Sequence, residues 1–298
     1  MPERRRRPEG AAGDAWRLAA TAAVVVALAA CSKPPAPTNP SVHTTKAFDA
    51  VFGALPPIPL QAPANASVVY FPAANDPGTL VAAPIFTTEP GKEEFLAVRT
   101  AVRGIDQEEF AKEVALPFAK GTDLVSFQRA KGTATVRIGG TFRAGRMSKE
   151  EADLAAASLL QTVEQFGDVT MLEISDAEGK TVFRGRPAGA RQADPGNPRA
   201  LGLLAIQEEK GKPATALSVL FDRPVFVEDI AFYPADGGSA YPGKAYATGF
   251  GMSVEFHPAG GITFDTKTAY RIRFKVHDGK GRALDGEVRL LPKEVVRI

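Results

Sequence analysis

The 298-residue sequence holds one cysteine, Cys31, and three histidines, His43, His257 and His277. A lone thiol has no internal disulfide partner and leaves no thiolate metal site to build, so stability has to come from packing. The histidines fall in no metal-ligand spacing and read as surface polar residues. No serine lies in a Gly-x-Ser-x-Gly elbow or a comparable nucleophile signature. Gly238-Ser-Ala-Tyr-Pro-Gly243-Lys244-Ala245 approaches a phosphate-binding loop, yet it lacks the final Ser or Thr, contains Pro242 and opens no amphipathic helix. A turn between strands explains its glycines. Charge of one sign is scarce too. The formal net charge of +2 includes an N-terminal arginine run, so the rest of the chain is near neutral or slightly acidic and carries no nucleic-acid footprint.

Carboxylates are plentiful but badly placed for chemistry. Glu93-Glu94, Glu108-Glu109 and Glu150-Glu151 are adjacent on expected helices, where neighbours diverge by about 100° and do not converge on one atom. Asp265 and Asp278 could contribute to a calcium site at a sandwich end, but such a site takes six or more oxygens. The sequence therefore names no catalytic residue, no metal ligand and no cofactor-binding residue, and implies no cofactor.

What is present begins at the N-terminus. Arg4-Arg5-Arg6-Arg7 and Arg17 precede an uncharged stretch, residues 18–30, of signal-peptide length. It closes on Leu28-Ala29-Ala30-Cys31, which resembles a bacterial lipobox, with Cys31 as the lipidated residue. An uncleaved membrane anchor is the alternative. The following Ser-Lys-Pro-Pro-Ala-Pro-Thr-Asn-Pro suits a lipid-tethered body, because a proline-rich segment stays extended and solvated. Residues 1–31 are thus read as lipoprotein signal and lipobox. Residues 32–64 are read as a Pro-rich tether with Phe48, Val51, Phe52 and Leu55 as its docking points.

Glycines and prolines in residues 186–199 mark a second break, a linker between units of different periodicity. In the first unit, residues 65–185, apolar runs at 67–71 and 80–88 read as strands. Helices are expected over 92–102, with Phe95, Val98 and Val102 inward, and over 106–120, with Phe110, Val114 and Phe118 inward. Residues 123–129 and 133–138 form a hairpin about Lys131-Gly132. The strongest helix starts at Ser148, in a Ser-x-x-Glu capping box with Glu151, and turns Ala152, Ala155, Ala156, Leu159, Val163 and Phe166 inward. Strands over 169–175 and 181–183 close a two-layer α+β unit.

These residues carry a resemblance. Val69-Tyr70-Phe71, Gly121-Thr122-x-Leu124, Gly132-x-Ala134-x-Val136 and above all Leu159-Leu-Gln-Thr-Val-Glu-Gln-Phe-Gly-Asp-Val169 resemble the GerMN domain of sporulation and spore-germination lipoproteins. The segment between Thr100 and Lys120 is longer than usual for that family, and Arg137-Ile138 stands where it often has an acidic residue and an aromatic. The resemblance implies a two-layer domain akin to ring-building modules, and with it lateral association between copies or with homologous partners.

The second unit, residues 200–298, alternates apolar and polar residues between short Gly and Pro breaks, the pattern of an antiparallel sandwich. Thr268-x-Tyr270-x-Ile272-x-Phe274-x-Val276-x-Asp278-x-x-Gly281 resembles a bacterial immunoglobulin-like domain, and its period of two places Tyr270, Ile272, Phe274 and Val276 on one buried face.

The expected protein is a non-catalytic envelope lipoprotein, held on the outer face of the cell membrane through Cys31. It would bind envelope or sporulation proteins, or copies of itself, and not nucleic acid. The competing class is a peptidoglycan-acting enzyme or cell-wall ligand-binding protein with its site between the two units.

Overall fold

Nine residues from Ala64 to Pro72 form the strand about which the first unit is built, and all but Asn65 are buried. A computed structural model describes residues 41–59, 62–76, 78–105, 110 and 112–296. The segment expected to be a signal, with Cys31, lies outside the described residues. Strands β1 (Val42–Thr44), β2 (Ala64–Pro72), β3 (Thr79–Thr87) and β8 (Arg191–Gln192) form one sheet in that spatial order. A second sheet holds β4 (Thr122–Ala130), β5 (Thr133–Gly140), β6 (Met171–Asp176) and β7 (Thr181–Gly185). Lys131 and Gly132 at the β4–β5 turn both have positive φ, 51° and 75°, as the tightest hairpin turns require.

Helix α2 (Glu93–Arg103) and helix α3 (Lys149–Glu164) pack on each other and against both sheets. Val69 and Phe71 of β2, Val98 and Val102 of α2, Leu159 and Val163 of α3, and Val136 and Leu172 of the second sheet share one core. The capping box forms as read: the Ser148 hydroxyl accepts from the Glu151 amide while the Glu151 carboxylate accepts from the Ser148 amide. Two expectations change. Phe95 is exposed, because α2 buries the stripe Ala97, Val98, Ala101 and Val102 instead. The helix expected over 106–120 does not extend through residues 112–120: turns stand there, Val114 bridges to Ala73, and Pro117 provides no amide. Residues 106–109 and 111 lie outside the described residues.

Helix α3 also completes the first sheet. Strand β1 pairs with β2 only over Ala64, Asn65 and Ala66, which leaves the same edge of β2 open further on. There the Thr162 hydroxyl accepts from the Tyr70 amide (3.1 Å), Ser158 donates to the Tyr70 carbonyl (2.5 Å), and the Gln165 side-chain amide both accepts from and donates to Val68 (2.9 and 2.6 Å). Ser158 and Thr162, one helical turn apart, take the carbonyl and the amide of Tyr70, and Gln165, nearly a turn further on, takes both groups of Val68, so one face of the helix follows the edge of β2. Polar groups of a helix stand in for a neighbouring strand.

Residues 42–52, read as part of a tether, are folded. Thr45 caps the six-residue α1 (Lys46–Val51), and Phe48 and Phe52 insert against Val68, Tyr70 and Leu80. So short a helix has little stability of its own; the two buried phenyl rings hold it. The expected linker is ordered too, since β8 pairs with Thr79 and Leu80 of β3.

The second unit is a two-sheet β-sandwich. Strands β9 (Ala200–Gln207), β10 (Ala216–Phe221), β12 (Gly243–Thr248), β13 (Ser253–Pro258) and β16 (Pro292–Val296) form a sheet in the order β12-β13-β10-β9-β16, antiparallel except for β16 against β9. Facing it are β11 (Phe226–Pro234), β14 (Tyr270–His277) and β15 (Ala283–Leu290). Tyr270, Ile272, Phe274 and Val276 point into the core with Phe221, Phe232 and Phe256, as their alternation dictates. Among the described residues no helix is long and apolar enough to cross a membrane.

Candidate functional site

Asn39–Ile298 cluster as one compact body, so the first unit and the sandwich meet at a junction. That junction is where the sequence put a competing active site. It begins where β10 runs out of its sheet into Asp222-Arg223-Pro224, a charged pair directly after a buried apolar strand. Asp222, Arg223 and Asp278 are 3, 3 and 0 % exposed. Arg223 forks onto Asp222 through Nε (3.0 Å) and Nη2 (2.8 Å), faces Asp278 Oδ2 at 3.5 Å, and donates to the Pro195 and Gly196 carbonyls. Buried charges persist only when paired and hydrogen-bonded, and this planar donor fork meets that demand.

Further arginines extend the network outward. Arg199 donates to Asp222 (3.1 Å) and pairs with Glu113 of the first unit. Burial lowers the Arg199 pKa, but the two carboxylates outweigh it and raise it above the ordinary value. Arg282 donates to Asp278 Oδ2 (2.6 Å) and to the Val51 carbonyl of α1 (2.6 Å). Asp278 also accepts from the Lys280 and Arg282 amides, which closes the turn between β14 and β15.

The N-terminal segment is clasped into the same junction. Gly53 bridges to Gly279, and a Cβ on Gly279 would collide with the Ala54 backbone. Phe86 of β3 stacks on Phe250, with ring centroids 4.5 Å apart and planes 4° from parallel. Phe250 adopts a left-handed φ of 60°, unusual for a bulky residue, and the stacked ring fixes it there.

Two clefts flank the network. One, about 520 Å³, has four carboxylates in its wall, Asp76, Glu113, Asp194 and Asp222. Each faces an arginine: Asp76 with Arg191, Glu113 and Asp222 with Arg199, Asp194 with Arg282. The other, about 660 Å³, runs beside Phe86, Phe250 and Arg99, and Arg99 is paired with Asp123. Asp76 is held below its ordinary pKa first by the Thr79 hydroxyl and further by Arg191, and Asp123 first by its hydrogen bond from Arg99, which opposes service of these two as a general acid.

The residues singled out from the sequence are scattered. His43 lies on β1, His257 pairs with Glu255 at the sandwich surface, and His277 stacks on Phe226. Asp265 accepts from the Lys267 amide and the Thr268 hydroxyl, while Asp278 belongs to the junction, so the two are engaged separately. Glu93 accepts from Asn65, Glu94 pairs with Arg129, and Glu151 serves the helix cap. Gly243 and Lys244 belong to β12, paired with Pro258 and His257. Among the described residues no group of three or more His, Cys, Asp or Glu side chains is placed to hold a metal ion. Sequence reasoning missed the junction arginines, for which the one local signal was Asp222-Arg223 interrupting an apolar run.

By architecture the described residues form a two-sheet α+β unit with three α-helices, locked to a β-sandwich. Residues 68–183, most of that first unit, match the family model described as Germane: sporulation and spore germination. The domain links the chain to sporulation or germination. The first GerMN domain of the sporulation protein GerM from Bacillus subtilis aligns at 17% identity and a TM-score of 0.32, over 43% of this chain and 94% of that one. The tandem GerMN domains of the same protein align at 16% identity and a TM-score of 0.32, over 59% of this chain and 57% of that one. No curated protein matches the chain.

Proposed function

We propose that the chain is a lipid-anchored binding protein of the cell envelope, acting in sporulation or germination by holding partners rather than by chemistry. The observation that carries this reading is the junction itself: Asp76, Glu113 and Asp222 in the wall of the 520 Å³ cleft are each held by an arginine, and Arg199, which joins Glu113 to Asp222, fixes the first unit against the sandwich. The Germane family is not known as an enzyme family, which agrees with it. The sandwich is immunoglobulin-like in this reading. Tyr270, at the start of β14, places its hydroxyl between the Asp265 amide (2.8 Å) and carbonyl (3.0 Å), five residues upstream, in the manner of a tyrosine corner. Cys31 is the lipid attachment point and holds the body on the extracytoplasmic face of the membrane. Partners are envelope or sporulation proteins, or further copies of the chain. Strands β7 and β12 end their sheets and offer places for strand addition.

The test has three readings. Wild-type protein should enter the detergent phase, whereas Cys31→Ala should stay unprocessed or be released from the membrane. Crosslinking in intact membranes should recover the protein with itself or another envelope protein through the first unit. Muropeptide release by the purified protein above a heat-killed control would replace this reading with the enzyme.

A further inference from the structure

A third cleft, about 630 Å³, lies in the first unit between residues 116–120, the loop 141–147 and the start of α3. Its inner wall is apolar, formed by Phe118, Phe142 and Met147, with Leu116 exposed at the mouth. Lys120, Arg143 and Arg146 stand around it, and among the described residues none of the three is in an ion pair. The one carboxylate in the lining, Glu151, is already accepting from the Ser148 amide (2.7 Å).

The loops that carry these cations are built, not loose. Asp176, 3 % exposed, accepts from the Ala144 amide (3.5 Å) in one loop and from the Glu178 (3.1 Å) and Lys180 (2.8 Å) amides in the next. Arg143 donates to the Gly140 and Phe142 carbonyls, and the Thr141 hydroxyl donates to the Lys120 carbonyl, which ties the two sides of the cleft together. A preformed apolar hollow of this size with fixed charges at its mouth has the form of a binding site.

Its occupant has to satisfy two demands at once, negative charge for the rim and an apolar group for the floor. Phosphate-linked wall glycans meet the first demand alone. A bilayer surface is planar, and its acyl chains would have to leave the hydrocarbon to reach Phe118. We infer that this cleft binds an acidic peptide segment of a partner protein, in which a carboxylate side chain neighbours a large apolar one. The inference rests on the reading of the chain as a binding protein and specifies the partner's chemistry.

The experiment titrates the full chain, held in nanodiscs of neutral phosphatidylcholine, with a fluorescent dodecapeptide of alternating Glu and Leu. Parallel titrations use its Gln-for-Glu and Ser-for-Leu counterparts and phosphatidylglycerol vesicles. The acidic peptide should bind, and each counterpart should bind at least about tenfold more weakly. Arg143→Gln/Arg146→Gln should weaken the acidic peptide by about tenfold and Leu116→Ser should weaken it measurably, with thermal unfolding unchanged. Lys210→Gln/Lys212→Gln, an equal charge change on an exposed turn of the sandwich, should leave binding as it is. The inference is overturned if that distant pair weakens binding equally, if the Ser-for-Leu peptide binds as well, or if vesicles alone bind through Arg143 and Arg146. If no peptide binds while membrane crosslinking through the first unit succeeds, this cleft is wrongly assigned and the broader reading survives; muropeptide release would instead remove the broader reading.

Discussion

The junction and the basic cleft use the same side chain in opposite ways. Arg223 is buried and meets Asp222 and Asp278, whereas Arg143 and Arg146 are exposed and meet no carboxylate among the described residues. A guanidinium withdrawn from water needs its counter-charge within the fold, and one left in water does not. Charge matched inside the chain therefore marks what the fold needs, and charge left over marks what it presents. Breaking this comparison is simple. Arg223→Ala strands two buried carboxylates and should destabilise the body by about 3 kcal/mol, at the lower end of the cost of a broken buried pair, because Arg199 and Arg282 remain beside them. Arg146→Ala should change stability by no more than about 0.5 kcal/mol. Urea unfolding of both variants decides it, and equal losses would mean that the cleft cations are structural.

The clasp offers a second break. Gly279→Ala forces a methyl group against the Ala54 backbone, and overpacking of this kind costs about 1–3 kcal/mol. The strain falls on the segment 41–59, so trypsin should cut after Lys46 faster than in the wild type, ahead of global unfolding. Unchanged protection at Lys46 would show that the Gly53–Gly279 contact does not hold the segment down.

Within the first unit, the side chains that replace a strand along β2 can be tested one at a time. Thr162→Val keeps shape and removes the acceptor of the Tyr70 amide, leaving a buried donor unsatisfied, at about 1–2 kcal/mol. Hydrogen exchange at Tyr70 should accelerate more than at Phe71. If both change alike, the helix is packing against β2 without completing it.

What was legible in the sequence was local. The Ser148–Glu151 cap, the Lys131-Gly132 hairpin and the alternation from Tyr270 to Val276 each rest on neighbours within a few residues, and each appears in the structure. The folded state of residues 42–52 was not legible, because Phe48 and Phe52 are too sparse to announce a core and gain burial only from β2, far along the chain. Phe95 misled for the converse reason: helical spacing gives a face but not which face meets the sheets. Ser158, Thr162 and Gln165 read as polar interruptions of an apolar stripe until the open edge of β2 supplies their partners. The junction network joins residues as distant as Glu113 and Arg199, and no local pattern points to such a pairing.

The smallest expected effect concerns acid, and it separates the strap that precedes the sandwich from the buried network. Asp76 accepts from the Thr79 hydroxyl (2.9 Å) and from Arg191 Nη2 (2.7 Å) on β8. The Thr79 hydrogen bond is the larger cause and the Arg191 charge a further one; together they outweigh burial and hold the carboxyl below its ordinary value of 3.8. A lowered folded pKa means that the contact is fully present above that ordinary value and is lost as pH falls through the lowered one. Asp76 is exposed, so solvent screening keeps the contribution small and the effect local. Hydrogen exchange at the Arg191 amide, which donates to the Gly78 carbonyl, should therefore accelerate below pH 3.8 relative to the same amide in Asp76→Asn. Asp123 and Asp265 are lowered as well and soften the whole body in acid, which is why the difference between the two proteins is the quantity to follow. Parallel pH profiles for both would show that the strap is held by strand pairing alone and that the Asp76–Arg191 contact contributes nothing to it.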